Sequence, residues 1–170
     1  MLIDCSYFTK GSRHILNATM GTADTLPNPN AEEVNNAILA YIEELQPEFL
    51  NDMLGATVAN KVNAYLVCQE EDENPPHVES MDEVCERLRE PFADYVFFHI
   101  LRDSNTQATM TGLVKLKTAN TIVAPISRQV SVWNSMVRKN RLFEEWSKES
   151  TLKGIIVSAE MTTMINVLNL

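Results

Sequence analysis

The chain has 170 residues, enough for one domain whose core needs neither disulfides nor metals. Its composition is 45% hydrophobic and 22% charged, with only 5 Gly and 7 Pro, which excludes collagenous and low-complexity sequence. Fourteen Lys plus Arg against 23 Asp plus Glu give a net charge of -9, which disfavours general binding to nucleic acid or anionic lipid.

Residues 1–29 hold short apolar patches at Ile3, Tyr7-Phe8 and Ile15-Leu16 among Gly11, Gly21, Pro27 and Pro29, and read as an irregular arm or a short strand. The start Met1-Leu2-Ile3-Asp4 has neither a basic n-region nor a long apolar run, and no apolar stretch approaches the ~20 residues that span a bilayer. No secretory signal or membrane span is therefore expected. Asn30 and Glu33 resemble a capping box, and Val34, Ile38, Tyr41, Ile42 and Leu45 share one face of a helix from about Ala31 to Gln46. Pro47 should kink or restart that helix. Phe49, Leu50, Met53 and Leu54 continue the stripe, and Gly55 suits a C-terminal cap. Val58, Val62, Tyr65, Leu66 and Val67 predict a further helix ending at Cys68, before a charged surface loop from Gln69 to Val78.

Ser80-Met81-Asp82-Glu83 has the S-x-x-E form of a capping box, so a long helix is expected to open at Met81. Val84, Leu88, Phe92, Tyr95, Val96, His99 and Ile100 mark its buried stripe, and Phe97-Phe98 widen it, with a kink near Pro91. Residues 108–117 suggest a small β hairpin or strand pair. After Pro125, the positions Ile126, Val130, Trp133, Val137, Leu142, Phe143 and Trp146 set out another amphipathic helix. Ile155-Ile156-Val157 suggests a strand, followed by apolar Met161, Met164, Ile165, Val167, Leu168 and Leu170. The expected fold is mainly α: one domain over 1–170, a bundle of about four to five helices at 30–153, an N-terminal arm and a tail at 154–170.

Chemistry-bearing residues have bland readings close at hand. Glu44, Glu48 and Asp52 fall at i, i+4 and i+8, as the carboxylates of a Mg²⁺-dependent nucleotide hydrolase would, but Pro47 interrupts the set. Glu79, Asp82, Glu83 and Glu86 sit at a helix start, where capping and dipole compensation explain them. Among the histidines, His14 has no partner pattern, His77 follows the acidic run Glu70, Glu71, Asp72 and Glu73, and His99 lies among aromatics as a hydrogen-bonded core residue. Cys5, Cys68 and Cys85 are odd in number and widely spaced, which favours free thiols over disulfides or zinc. Arg128, Arg138, Lys139 and Arg141 form a basic strip, read as a solvated face beside Glu144, Glu145 and Glu149. Trp133 and Trp146 read first as core and second as a subunit contact. No nucleophile elbow, phosphate loop or dinucleotide fingerprint is present, so no catalytic, cofactor-binding or metal residue is assigned and no cofactor is expected.

Four stretches taken together carry a resemblance: Ala37 to Leu54, ending Phe49-Leu50-Asn51-Asp52-Met53-Leu54-Gly55; Pro91-Phe92-Ala93-Asp94-Tyr95-Val96; Thr111-Gly112-Leu113-Val114; and Trp133-Asn134-Ser135-Met136-Val137. Their order resembles small head-tail connector, or adaptor, proteins of tailed phages and prophages. The resemblance implies a helical bundle with a β-containing protrusion, ring assembly as a homo-oligomer and docking to portal and neck proteins. It further implies a non-enzymatic structural role, in the cytoplasm during assembly and then in the virion. Residues 1–29 and the tail after Gly154 stand outside the pattern, and the leftover apolar residues of Met161 to Leu170, with residues 1–16, are expected to pack on a neighbouring subunit. The alternatives are a helical interaction module or regulator of a mobile element, and the Mg²⁺-dependent hydrolase.

Overall fold

The computed structural model describes residues 1–20, 29–72, 75–104, 106–109, 112–115 and 125–168. Helices dominate: α1 (Pro29–Leu54), α2 (Ala56–Glu71), α3 (Glu79–Asp103), α4 (Pro125–Glu149) and the single turn α5 (Ala159–Thr162), preceded by 3-10 turns at Cys5–Phe8 and Gly11–Arg13. The mainly helical bundle expected from periodicity is the architecture observed. In the connection between α3 and α4, Thr106–Thr109 pairs antiparallel with Gly112–Lys115, setting Thr106 opposite Lys115 and Thr109 opposite Gly112. Residues 110, 111, 116 and 117 of the expected hairpin span lie outside the described residues.

The centre of the bundle is α3. Every residue from Pro91 to Phe98 is buried; α4 and α1 pack against the helix, and Arg13 of the N-terminal turns reaches Asp94. Pro91 does not divide this helix, which runs on to Asp103. Pro47 likewise lies inside an undivided α1, and the expected restart does not occur. Both Pro47 and Glu43, whose carbonyl loses its donor, are exposed, so water can serve that carbonyl. A proline inside a helix costs about 3 kcal/mol. Burial of Ile42, Leu45, Phe49, Leu50 and Met53 around it contributes ~1.5–3 kcal/mol for each side chain, and the sum outweighs the proline.

Several expected boundaries move. Gln69 to Glu71 belong to α2, and Gln69 Nε2 donates to the Pro76 carbonyl at 2.9 Å, folding the short loop back. The helix expected to open at Met81 begins at Glu79, with Val78 as its N-cap and no side-chain cap. Asp82 of the supposed capping box is drawn instead to Tyr65, whose hydroxyl donates to it at 2.5 Å, joining α3 to α2.

Both ends are also corrected. Leu2, Ile3, Cys5 and Phe8 of the arm are buried in the core, and the Leu2 amide donates to Gln46 Oε1 at 2.6 Å. Residues 155–157 form no strand; the Ser158 amide donates to the Asp52 carbonyl at 2.8 Å, and Val157 and Met161 enter the core. The stretch through Ile165 therefore packs on this chain's own bundle rather than waiting for a neighbour. No described helix is long and apolar enough to cross a membrane.

Candidate functional site

A cleft of about 500 Å³ opens where α1, α3, α4 and the tail meet. Helical spacing explains its lining: Tyr41, Glu44, Leu45 and Glu48 recur every three or four residues on α1, as do Tyr95, Phe98, His99 and Arg102 on α3. Trp133 of α4 and Glu160 and Ile165 of the tail complete the wall. The rings are packed among themselves, with centroids 4.8 Å apart for Phe98 and Trp133 and 6.3 Å for Tyr95 and Trp133.

The cleft is electronegative. Arg102 pairs with Asp103 at 3.4 Å, and the Tyr41 hydroxyl donates to Asp103 at 3.1 Å. Glu44, Glu48 and Glu160, all exposed, have no cationic partner among the described residues. Tyr95 is only 4% exposed, and its hydroxyl makes no hydrogen bond among the described residues. Burial, then the charges of Glu48, Asp52 and Glu160, drives the Tyr95 phenol far above the usual range, so it stays protonated. Because it lines the cleft, the hydroxyl is open to water or to a ligand there.

His99 is half-buried, not the hydrogen-bonded core residue expected; among the described residues it is held by ring contacts, at 4.6 Å from Tyr95 and 5.5 Å from Phe98. Burial and then the nearby Arg102 push its pKa down to about 4. It is neutral at physiological pH and leaves the cleft's negative charge uncancelled.

Because α1 runs through Pro47, Glu44, Glu48 and Asp52 do share a face, contrary to the expected interruption. Among the described residues, however, no three His, Cys, Asp or Glu side chains converge to hold a metal ion. Glu83 pairs with Arg87 at 2.9 Å, and His77 with Asp82 at 3.3 Å. Cys5, Cys68 and Cys85 are free thiols. Arg128, Arg138 and Arg141 of the basic strip are exposed, as expected of a solvated face, and three of its four members also hold partners within the chain. Lys139 donates to Asp94 at 2.6 Å, Arg128 stacks over Phe97 and donates to the Ser12 carbonyl at 2.9 Å, and Arg141 binds the Thr162 carbonyl at 2.8 Å.

Two arrangements escaped sequence reasoning. Asp94, buried on α3, accepts from Arg13 at 2.8 Å, Ser135 at 2.9 Å and Lys139, tying arm, α3 and α4 together. Burial opposes the Arg13 charge, yet its bonds to Asp94 and Glu90 outweigh that and raise its pKa. Along α4, a row of side chains clamps the tail backbone: Trp133 Nε1 to Thr163, Asn134 Nδ2 to Ile165 and Asn140 Nδ2 to Met161, each at 2.9 Å to the carbonyl. Asn134 Oδ1 also accepts from the Ile165 amide at 2.9 Å, so the side-chain amide mimics a strand partner. Trp133 is thus both core and clamp, while Trp146 packs beside Phe143 under Arg87. The only signal in the sequence was the polar Asn134 and Asn140 on an apolar helix face. Comparison of the chain with protein-family models, curated proteins and solved structures gives no match.

Proposed function

We propose that the chain is a non-enzymatic structural protein of phage or prophage head-tail connector type, acting by assembling into a homo-oligomeric ring that docks to portal and neck proteins. The observation that supports it most is a strand pair set between α3 and α4, the two helices that pack most extensively, in a bundle that is otherwise helical. A bundle carrying a β-containing protrusion is what the four resembling stretches imply. Exposed Leu142, Ile156 and Leu168 add apolar surface of the kind that subunit contacts use.

The test is native mass measurement over a concentration series, alone and with the portal protein encoded nearby. The expected result is a closed higher oligomer, formed by the chain itself or on the portal. A monomer under both conditions removes the reading in favour of a regulator or interaction module.

A further inference from the structure

The acidic cleft has features that ring assembly leaves unused. Glu44, Glu48 and Glu160 stand around it without cationic partners among the described residues. Its walls include the rings of Tyr95, Phe98 and Trp133. The Tyr95 hydroxyl, on a side chain buried to all but 4%, lines the same space with no hydrogen bond among the described residues.

We propose that this cleft is a binding site for an organic cation on an alkyl arm, a guanidinium or a primary ammonium, seated between the rings and the carboxylates. Each part of the cation meets a counterpart. The charge meets Glu44, Glu48 and Glu160 in charge-assisted hydrogen bonds. Its N–H groups find an acceptor in the Tyr95 hydroxyl oxygen, and the alkyl arm and charge lie against Phe98 and Trp133. At about 500 Å³ the cleft falls within the ~300–1,000 Å³ typical of ligand sites. Anions are repelled by the same carboxylates, and a bare metal ion lacks a set of three converging ligands among the described residues. The site stands whether or not the chain forms a ring.

Trp133 lies in the cleft and Trp146 does not, so the full chain carrying Trp146→Phe makes Trp133 a single fluorescent reporter. It would be titrated with n-butylguanidinium, n-butylammonium and the neutral isostere n-butylurea. The expected result is a saturable change with both cations, none with the urea, and weaker binding at higher salt. Glu48→Gln and Glu160→Gln, at exposed positions whose neutralisation leaves the core intact, should each weaken cation binding roughly threefold to tenfold. Tyr95→Phe, which keeps the ring packing, should weaken it by a similar factor. Two further probes identify the source: tighter binding of an arginine-containing tetrapeptide points to a partner's side chain, tighter binding of spermidine to a free polyamine, and each upholds the cation class. The proposal is overturned if no saturable response appears, if n-butylurea matches the cations, or if both Gln variants bind as the parent does.

Discussion

Neighbouring positions on α3 show how differently a buried polar group can be treated. Asp94 is surrounded by donors from two other elements, whereas Tyr95 buries its ring between Phe49 and Trp133 and leaves its hydroxyl to the cleft. His99, one turn on, is held neutral, and that has a consequence for stability. Its ordinary pKa of 6.5 falls to about 4 in the fold, through burial and then Arg102, with Asp103 opposing. Below pH 6.5 the unfolded chain takes up a proton that the folded chain refuses. Stability is therefore full above pH 6.5, is lost as pH falls toward 4, and loses no more from this group below that. The loss should reach roughly 2 kcal/mol, allowing for solvent at this half-buried ring. Glu90 has its pKa lowered, against its own burial, by Arg13 and Lys139, so its loss begins only below its ordinary 4.5. Urea unfolding at steps between pH 7 and 4 should show His99→Gln flattening the curve between 6.5 and 4.5. Parallel curves for parent and variant would assign the acid sensitivity elsewhere.

At the scale of elements, the helices were legible because their signal is local. The stripes Val34 to Leu54, Val84 to Ile100 and Ile126 to Trp146 repeat at helical spacing, and burial follows them except at Leu142, which is 65% exposed. The punctuation was less legible. Pro47 and Ser80 carry strong local meanings, but burial around Phe49 and the Tyr65–Asp82 bond between helices overrode both. Gly55 is a case where the local reading holds and can be sharpened. Its amide donates to the Asn51 carbonyl at 2.8 Å, closing α1, while φ 72° and ψ 155° launch α2 directly. That pair of angles lies outside the left-handed helical region that Asn tolerates, in a region close to glycine-only. A methyl group there would meet no atom within 4 Å, so any penalty is one of backbone conformation, not of space. Gly55→Ala and Gly55→Asn should therefore cost alike, about 1–3 kcal/mol by chemical denaturation, with an unchanged denaturant slope. An Asn variant close to the parent would mean that the α1–α2 corner relaxes into an ordinary left-handed cap.

For the whole molecule, the cleft was not legible in the sequence because its parts are separated along the chain. Glu48, Tyr95, Trp133 and Glu160 converge only once the tail is folded back on α4. The same fold-back decides what the tail does. Apolar residues after Gly154 without clear alternation suggested surplus surface, yet Met161 is 1% exposed, and Asn140, Asn134 and Trp133 hold the backbone from Met161 to Ile165. Ile156, Met164, Val167 and Leu168 stay exposed, Leu168 at 92%.

Two truncations separate these roles. Ending the chain after Lys153 removes the buried Val157 and Met161 side chains, worth ~1.5–3 kcal/mol each. It also strands the Asn140 amide in the core, where its Oδ1 already lacks a partner, at a further ~1–3 kcal/mol. Against the ~5–15 kcal/mol that holds a typical domain together, the loss should unfold the chain or shift its denaturant midpoint sharply downward. Ending after Asn166 removes the exposed Val167 and Leu168 and none of the α4 clamp, and should change stability by no more than ~0.5 kcal/mol. Circular dichroism melts of both variants check the contrast. A stable helical protein truncated at Lys153 would show that the α4 clamp contributes little and that residues 154–166 are an appendage. If the Asn166 truncation instead keeps its stability but loses an oligomer that the full chain forms, the exposed Val167–Leu168 tip is the part that reaches a neighbouring subunit.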